Sequence, residues 1–183
     1  MSDYITHTKE WLAKFVIGLN LCPFAKQPYS RDKIRYVVYE DEKEEALMKV
    51  FLEELYHLDQ TPVMQVETSL IIHPNCLMDF RSYLNFVQVL ENLLAEAAFQ
   101  GVFQIASFHP DYQFAGTGAE DAENYTNRSP YPMIHLLREE SVEKALEHYE
   151  NPESIPDVNI QKMNALGIEG ILKLKNQIDA TKR

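Results

Sequence analysis

Apolar residues recur along the chain in two alternating patterns, helical stripes and short continuous runs. Three runs rich in β-branched and aromatic residues have the length of strands, and two of them end at a His-Pro pair. The segments between the runs carry apolar residues three and four positions apart, as amphipathic helices do. The pattern predicts helices at residues 3–19, 41–58 and 79–100 and strands at residues 34–39, 66–74 and 102–110.

Capping and helix-breaking residues mark the ends of several elements. Asp79 stands just before a long apolar stripe, where an N-cap is expected, and Gly101 follows that stripe. Pro132 suits the first position of a helix, so residues 132–138 are predicted to be helical. Three further helices are predicted at residues 140–149, 159–166 and 168–178, with Gly167 between the last two.

The order strand, helix, strand, helix, strand predicts an α/β fold. We expect a small sheet of three strands, or more, with crossover helices packed against it and helical additions at both termini. A chain of 183 residues with 45% hydrophobic content fits one globular domain over residues 1–183.

Charge and composition narrow the functional class. The formal net charge of −11 argues against bulk nucleic-acid binding, because counterion release needs a basic face. No apolar run reaches the roughly 18 residues of a membrane span, and the first residues lack the order of a signal peptide, so we expect a cytoplasmic protein without a membrane partner. Cys22 and Cys76 show no zinc-type spacing and are expected to be free thiols.

Two histidines mark one edge of the predicted sheet. His73 and His109 each precede a proline at a strand end, and parallel strands would bring them to the same edge, where open α/β sheets bind ligands. The candidate catalytic residues are therefore His109, Asp111 and His73, with His109 as the general acid or base. Two alternatives stay open: structural hydrogen bonds that cap the strand ends, or a metal site, for which the spacing is a weak signal.

A polar loop supplies the candidate anion-binding groups. Amide, hydroxyl and guanidinium side chains crowd into residues 124–129, ahead of the helix predicted at Pro132, whose free backbone N–H groups favour negative charge. The candidate substrate-binding residues are Arg35 from a locally basic segment, Asn124, Asn127, Arg128, Ser129 and His135. The alternative is that these are ordinary turn and capping residues and that Arg128 pairs with a nearby carboxylate.

Cys22 is a further candidate, as a nucleophile. A nucleophilic thiol needs a cation or a helix N-terminus beside it, whereas Cys22 follows the end of a predicted helix and stands close to Leu21 and Phe24. This context favours a buried packing thiol.

Three segments carry a resemblance to a known family: GLNLCPFA (residues 18–25), SFHPDYQFAG (107–116) and ENYTNRSPYPMIHLLRE (123–139). Together they resemble a domain-of-unknown-function family of small, mainly bacterial proteins, numbered 1415. The resemblance extends from about residue 11 to residue 166, and the third segment is the most specific. It implies a cytoplasmic, self-contained domain, and it brings no activity, cofactor or catalytic residue.

These observations lead to three functional hypotheses. The first is an enzyme that acts on a small anionic, for example phosphorylated, substrate by histidine acid/base chemistry. The second is a noncatalytic module that binds the same kind of ligand. The third is a partner-binding protein whose exposed aromatic patch consists of Tyr112, Phe114, Tyr125 and Tyr131. The sequence specifies neither a cofactor nor an oligomeric state.

Overall fold

The computed structural model describes residues 3–147 and 149–180, which form helices and one mixed sheet. The α-helices are α1 (Asp3–Trp11), α2 (Lys26–Ser30), α3 (Glu44–Gln60), α4 (Phe80–Glu96), α5 (Glu139–Leu146) and α6 (Ile155–Asp179). The strands are β1 (Ile34–Val38), β2 (Thr68–Ile72), β3 (Phe103–Phe108) and β4 (Met133–Arg138). A π-helix (Leu12–Ile17) continues α1, and 3₁₀ helices span Ala122–Thr126 and Pro152–Ser154. The prediction of an α/β fold with helical additions at both termini is confirmed.

The sheet has the strand order β1-β2-β4-β3. β1 pairs with β2 in parallel through α3, as a crossover connection requires. β4 lies between β2 and β3 and is antiparallel to both, so β2 and β3 run in the same direction. All five residues of β2 are buried, as expected for a central strand covered on both faces.

The prediction of a helix at residues 132–138 is wrong, because this segment is β4. Met133 pairs with Ile72 of β2 on one side and with Phe108 of β3 on the other. A short, continuous apolar run fits a buried strand as well as a helix, and here the two neighbouring strands decide the outcome. Pro132 precedes the strand, and its carbonyl accepts a hydrogen bond from the backbone N–H of His73 (3.0 Å).

Helices cover both faces of the sheet and make two cores. On one face, buried side chains of α3 and α4, among them Phe51, Leu55, Tyr83 and Leu90, pack against Ile71 and Leu136. On the other face, α1, its π-helical continuation and α6 pack against Leu70, Ile72 and Met133. The strand residues alternate between the two cores, as a period of two requires.

Several predicted element ends are confirmed. Asp79 caps α4, since its carboxylate accepts a hydrogen bond from the Ser82 N–H (2.8 Å). Gly167 interrupts α6 with φ 67° and ψ 165°, which divides it where two helices were predicted. The short helix α2 lies between the π-helix and β1, in a segment for which no element was predicted. None of the helices in the described ranges is long and apolar enough to cross a membrane.

Candidate functional site

The structure brings His73 and His109 to the same edge of the sheet, around Tyr83. The ring centroid of Tyr83 lies 5.9 Å from that of His73 and 5.1 Å from that of His109. The Tyr83 hydroxyl donates to the Met133 carbonyl (2.7 Å) and accepts from the Phe108 N–H (2.9 Å). Both histidines are completely buried, so no solvent reaches this aromatic group.

His109 uses both ring nitrogens on the backbone. Its Nδ1 accepts from the Asp111 N–H (3.0 Å), and its Nε2 lies 3.2 Å from the Leu77 carbonyl, to which it donates in the neutral tautomer. Burial lowers the pKa of His109, which favours this neutral form. The carboxylate of Asp111 is exposed and makes no hydrogen bond to the ring. In this arrangement His109 caps the end of β3.

His73 is neutral as well and keeps one nitrogen without a partner. Its Nδ1 donates to the Cys76 carbonyl (2.9 Å), whereas the buried Nε2 has no hydrogen-bond partner in the part of the chain that the structure describes. Burial lowers the pKa of His73 to about 4. Within the described ranges, no three His, Cys, Asp or Glu side chains converge as a metal site would require.

Two of the predicted substrate-binding residues hold the polar loop itself. The completely buried Asn124 accepts from the Phe114 N–H (2.9 Å) and the Thr117 hydroxyl (2.8 Å), and its amide donates to the Gly118 carbonyl (2.7 Å). Ser129 is buried and donates to the carbonyl of Tyr131 (2.6 Å). These contacts match the turn-forming roles that such residues have in loops.

Arg128 is held by the same loop but has no carboxylate partner. Its Nε donates to the Tyr112 carbonyl (3.0 Å) and its Nη2 to the Ala119 carbonyl (2.6 Å), while the guanidinium lies 4.6 Å from the ring centroid of Tyr125. No ion pair links Arg128 to an acidic side chain among the described residues. The expected alternative of a pairing with a nearby carboxylate is therefore not what the structure shows.

Arg35 and His135 lie away from this loop. Arg35 stands at the start of β1, the strand at the other edge of the sheet, and makes two hydrogen bonds to the buried Glu54 carboxylate (2.8 and 3.1 Å). His135 is in the middle of β4, and its Nε2 lies 2.6 Å from the Thr68 hydroxyl. Burial lowers the pKa of His135 to about 4. The structure does not bring either residue together with Arg128 or His109.

The four aromatic residues of the partner-binding hypothesis pack against other parts of the protein. Tyr125 and Tyr131 contribute to the core on the α6 side of the sheet. Tyr112 packs edge-on against Phe114 with a centroid distance of 5.0 Å. All four side chains are buried or half-buried, so they do not form a fully exposed patch.

A cavity of about 490 Å³ lies between the end of the π-helix, the glycine-bearing loop after β3 and the start of α6. We call it the main cavity. Its apolar lining consists of Val16, Leu21, Phe108, Phe114, Ala115, Ile155, Pro156 and Ile160, and its polar lining of Cys22, Thr117, Glu123, Thr126, Asn127 and Asn159. All three segments that carry the family resemblance contribute residues. Of the nine residues predicted to be catalytic or substrate-binding, Asn127 alone belongs to this lining, together with Cys22, the candidate nucleophile.

Most polar side chains of the main cavity are already bound to protein. The amide of Asn127 donates to the Ser107 carbonyl (3.2 Å), that of Asn159 donates to the Leu21 carbonyl (2.7 Å), and the Thr117 hydroxyl lies 2.9 Å from the Phe114 carbonyl. The half-buried carboxylate of Glu123 has no hydrogen bond or ion pair among the described residues. No Lys, Arg or His contributes to the lining. Glu123 is thus a free acceptor and the one charged group of the lining.

Cys22 is the one thiol in the lining of the main cavity. The thiol stands before the turn that leads into α2, with the backbone N–H groups of Phe24 and Ala25 near its sulfur. Burial raises the pKa of Cys22, and those two N–H groups oppose the increase. The sequence analysis placed Cys22 only after the end of a helix. In the structure the thiol also precedes the first turn of the next helix, α2.

Sequence reasoning did not identify the main cavity. Its walls come from residues 16–22, 108–127 and 155–160, which are far apart in the chain. Cys22 and Glu123 lie in two of the segments that carry the family resemblance, so the sequence offered a signal for both. The contribution of α6 gave no sequence signal, because Ile155 and Ile160 look like ordinary helix residues.

A family model described as a protein of unknown function (DUF1415) matches residues 3–173. A search of curated proteins and a search of solved structures each gave no match.

Proposed function

The chain belongs to the DUF1415 family, whose function is unknown, and we propose that it binds a small, largely apolar molecule in the main cavity. The observation that carries the proposal is the cavity itself, with a volume of about 490 Å³ and mainly apolar walls. Small-molecule sites are typically concave, of about 300–1,000 Å³, with a few polar groups that orient the ligand.

The charge of the lining selects among ligands. Glu123 is a carboxylate without a partner among the described residues, and no cationic side chain balances it in the lining. A buried or half-buried charge is best satisfied by a hydrogen-bond donor or an opposite charge. We therefore propose that the ligand has an apolar body and one donor group, such as an amine or a hydroxyl, directed at Glu123.

Any chemistry in the main cavity would involve Cys22 and Glu123. Apart from the hydroxyls of Thr117 and Thr126, the Cys22 thiol is the one nucleophile in the lining. Glu123 is the one carboxylate. His109 is buried beside Tyr83 with both nitrogens bound to the backbone, and it does not line the cavity. We therefore propose ligand binding, and catalytic turnover must be measured separately for each ligand that binds.

A thermal-shift screen tests the proposal. Ligand binding to the folded state raises the melting temperature by mass action. We expect apolar amines and alcohols to raise the Tm of the wild type, and the Ala115→Trp variant to lose this effect because the indole fills the cavity. Ala115 is exposed at the cavity mouth, so the substitution does not overpack a core.

Ala119→Trp is the matched control. Ala119 is exposed on the same loop but does not line the main cavity. It should keep the full ligand-dependent increase in Tm. If Ala115→Trp and Ala119→Trp respond to the ligands alike, the ligands bind elsewhere and the proposal fails.

The enzyme hypothesis, with His109 acting on an anionic substrate, stays a second proposal. What favours an anion is Arg128, a cation held by two carbonyls and paired with no carboxylate among the described residues. Phosphorylated metabolites and carboxylates belong in the same screen. A turnover that persists unchanged in a folded His109→Ala variant would eliminate the acid/base role.

A further inference from the structure

A second, much smaller cleft lies on the α6 side of the molecule, between α1, the loop at residues 125–130 and the end of α6. We call it the cationic cleft. Two cations, Arg128 and Lys175, and one carboxylate, Asp179, line it together with Trp11. It shares no lining residue with the main cavity.

Trp11 contributes an unused hydrogen-bond donor. The side chain is 4% exposed, and its Nε1 has no hydrogen-bond partner in the described part of the chain. An indole N–H donates and cannot accept. Buried polar groups in native proteins nearly always have a partner, so the Trp11 N–H is suited to donate to an acceptor that the described residues do not supply.

The two cations of the cleft also have donors that are not used. Arg128 donates from Nε and Nη2 to backbone carbonyls, whereas its Nη1 has no hydrogen bond to a described residue. The half-buried Lys175 has neither a hydrogen bond nor an ion pair with any described residue. Three side chains of the cleft therefore offer donors without a protein acceptor.

Asp179 forms no ion pair with Arg128 or Lys175. Its Oδ1 accepts from His7 Nε2 (2.9 Å), and His7 Nδ1 lies 3.0 Å from the Tyr131 hydroxyl. If Tyr131 donates to Nδ1, Nε2 carries the proton that Asp179 accepts. The carboxylate is thus engaged with the histidine, and donors outnumber acceptors in the cleft.

We propose that the cationic cleft binds a small anion through Trp11, Arg128 and Lys175. The volume of about 20 Å³ accommodates a group of the size of one water molecule. A halide ion fits this space, and so does one oxygen of a phosphate that remains at the mouth. The site is independent of the ligand proposed for the main cavity.

The fluorescence of Trp11, the only tryptophan in the chain, reports directly on this site. Sodium bromide and sodium phosphate are titrated separately against the full-length protein. We expect a saturable change in fluorescence with at least one of the two anions. Saturation with bromide identifies a halide site, and saturation with phosphate alone identifies an oxyanion site.

Lys175→Ala and Lys173→Ala form a charge-matched pair. Both substitutions remove one positive charge from α6, but Lys173 is exposed and does not line the cleft. We expect Lys175→Ala to weaken anion binding by about tenfold, as for the loss of one close charge, and Lys173→Ala to leave it within about twofold. Neither variant removes a bond on which the loop depends, unlike Arg128→Ala.

A second measurement covers the indole donor. Trp11→Phe removes the N–H and keeps an aromatic ring, so the anion-dependent increase in Tm should disappear while the fold is retained. A change in fluorescence that rises linearly without saturation, or one that is equal in Lys175→Ala and Lys173→Ala, would overturn the proposal and leave water in the cleft.

Discussion

At the scale of single residues, burial lowers the pKa of His73, His109 and His135 and favours their neutral forms. His73 stacks on Tyr83, donates through Nδ1 to a backbone carbonyl, and has an Nε2 without a partner in the described structure. A proton on Nε2 would place an uncompensated charge in the protein interior, which is costly. Protonation of His73 is therefore coupled to unfolding.

This coupling predicts how stability depends on pH. The pKa of His73 is about 4 in the folded protein and about 6.5 when unfolded, so between these values the unfolded state binds more protons. The free energy of unfolding then falls as pH is lowered from about 6.5 towards 4. We expect His73 to contribute a loss of about 2 kcal/mol between pH 7 and pH 5.

Urea denaturation at pH 7 and pH 5 measures this loss. The variant His73→Asn keeps an amide that can donate to the Cys76 carbonyl but does not titrate. Its stability should depend less on pH than that of the wild type, whatever its stability at pH 7. Equal losses in the two proteins would contradict the assignment to His73.

The sequence shows which polar residues the loop contains, but it does not show whether their side chains bind a ligand or the backbone of the loop. Asn124 and Ser129 look the same in sequence whether they face a ligand or the backbone of their own loop. In the structure both are buried and bonded to protein groups. The difference depends on how the loop folds back on β3, which hydrophobic periodicity does not describe.

At the scale of elements, Gly167 determines the shape of α6. Its φ of 67° and ψ of 165° lie in a region that is essentially restricted to glycine. The helical stretch before it lines the main cavity, and the stretch after it reaches the cationic cleft. The backbone conformation of Gly167 therefore sets the direction of the part of α6 that lines the main cavity relative to the part that lines the cationic cleft.

Substitution of Gly167 should destabilise the protein. We expect Gly167→Ala to lower the free energy of unfolding by about 1–3 kcal/mol because a Cβ disfavours this backbone conformation. Gly167→Asn should cost a similar amount, since asparagine tolerates αL but not this value of ψ. Chemical denaturation of the purified variants provides the measurement.

Gly118→Ala is the comparison for Gly167. Gly118 does not adopt a positive φ, and an added Cβ would lie 3.3 Å from a flexible carboxylate oxygen of Asp121. Its stability should stay close to that of the wild type. If Gly167→Ala is as stable as Gly118→Ala, the kink is not held by backbone conformation.

Elements with several agreeing signals were predictable from sequence. For α4, the cap at Asp79 and the apolar stripe both indicated a helix, and the structure confirms it. For β4, the proline and the Met and Leu residues favoured a helix, and only the pairing with β2 and β3 makes it a strand. Long-range pairing is what local patterns cannot supply.

At the scale of the whole molecule, the main cavity and the cationic cleft differ in charge. The main cavity is lined by one carboxylate and no cation, whereas the cationic cleft is lined by two cations, one carboxylate and an indole N–H that has no partner among the described residues. The protein as a whole carries a net charge of −11. We therefore expect a neutral or cationic ligand in the cavity and, as proposed, a small anion in the cleft.

The central claim is that small molecules enter the main cavity and that Glu123 selects them by charge. The thiol of Cys22 tests this claim without knowledge of the ligand, because it lines the cavity, while Cys76 is 1% exposed. We would measure the rates at which a cationic and an anionic methanethiosulfonate of similar size modify Cys22. The same Cys22 thiolate attacks the sulfur of either reagent and displaces methanesulfinate, so the raised pKa of Cys22 cancels from the ratio of rates.

We expect the cationic reagent to modify Cys22 several-fold faster than the anionic reagent does. Glu123→Gln should reduce the ratio of the two rates by about three- to tenfold. Glu120→Gln, which removes the same charge from an exposed position outside the cavity lining, should leave the ratio nearly unchanged. Cys22→Ser provides the blank. A Cys22 that neither reagent modifies in the folded protein, or a ratio that Glu123→Gln and Glu120→Gln change equally, would contradict the account.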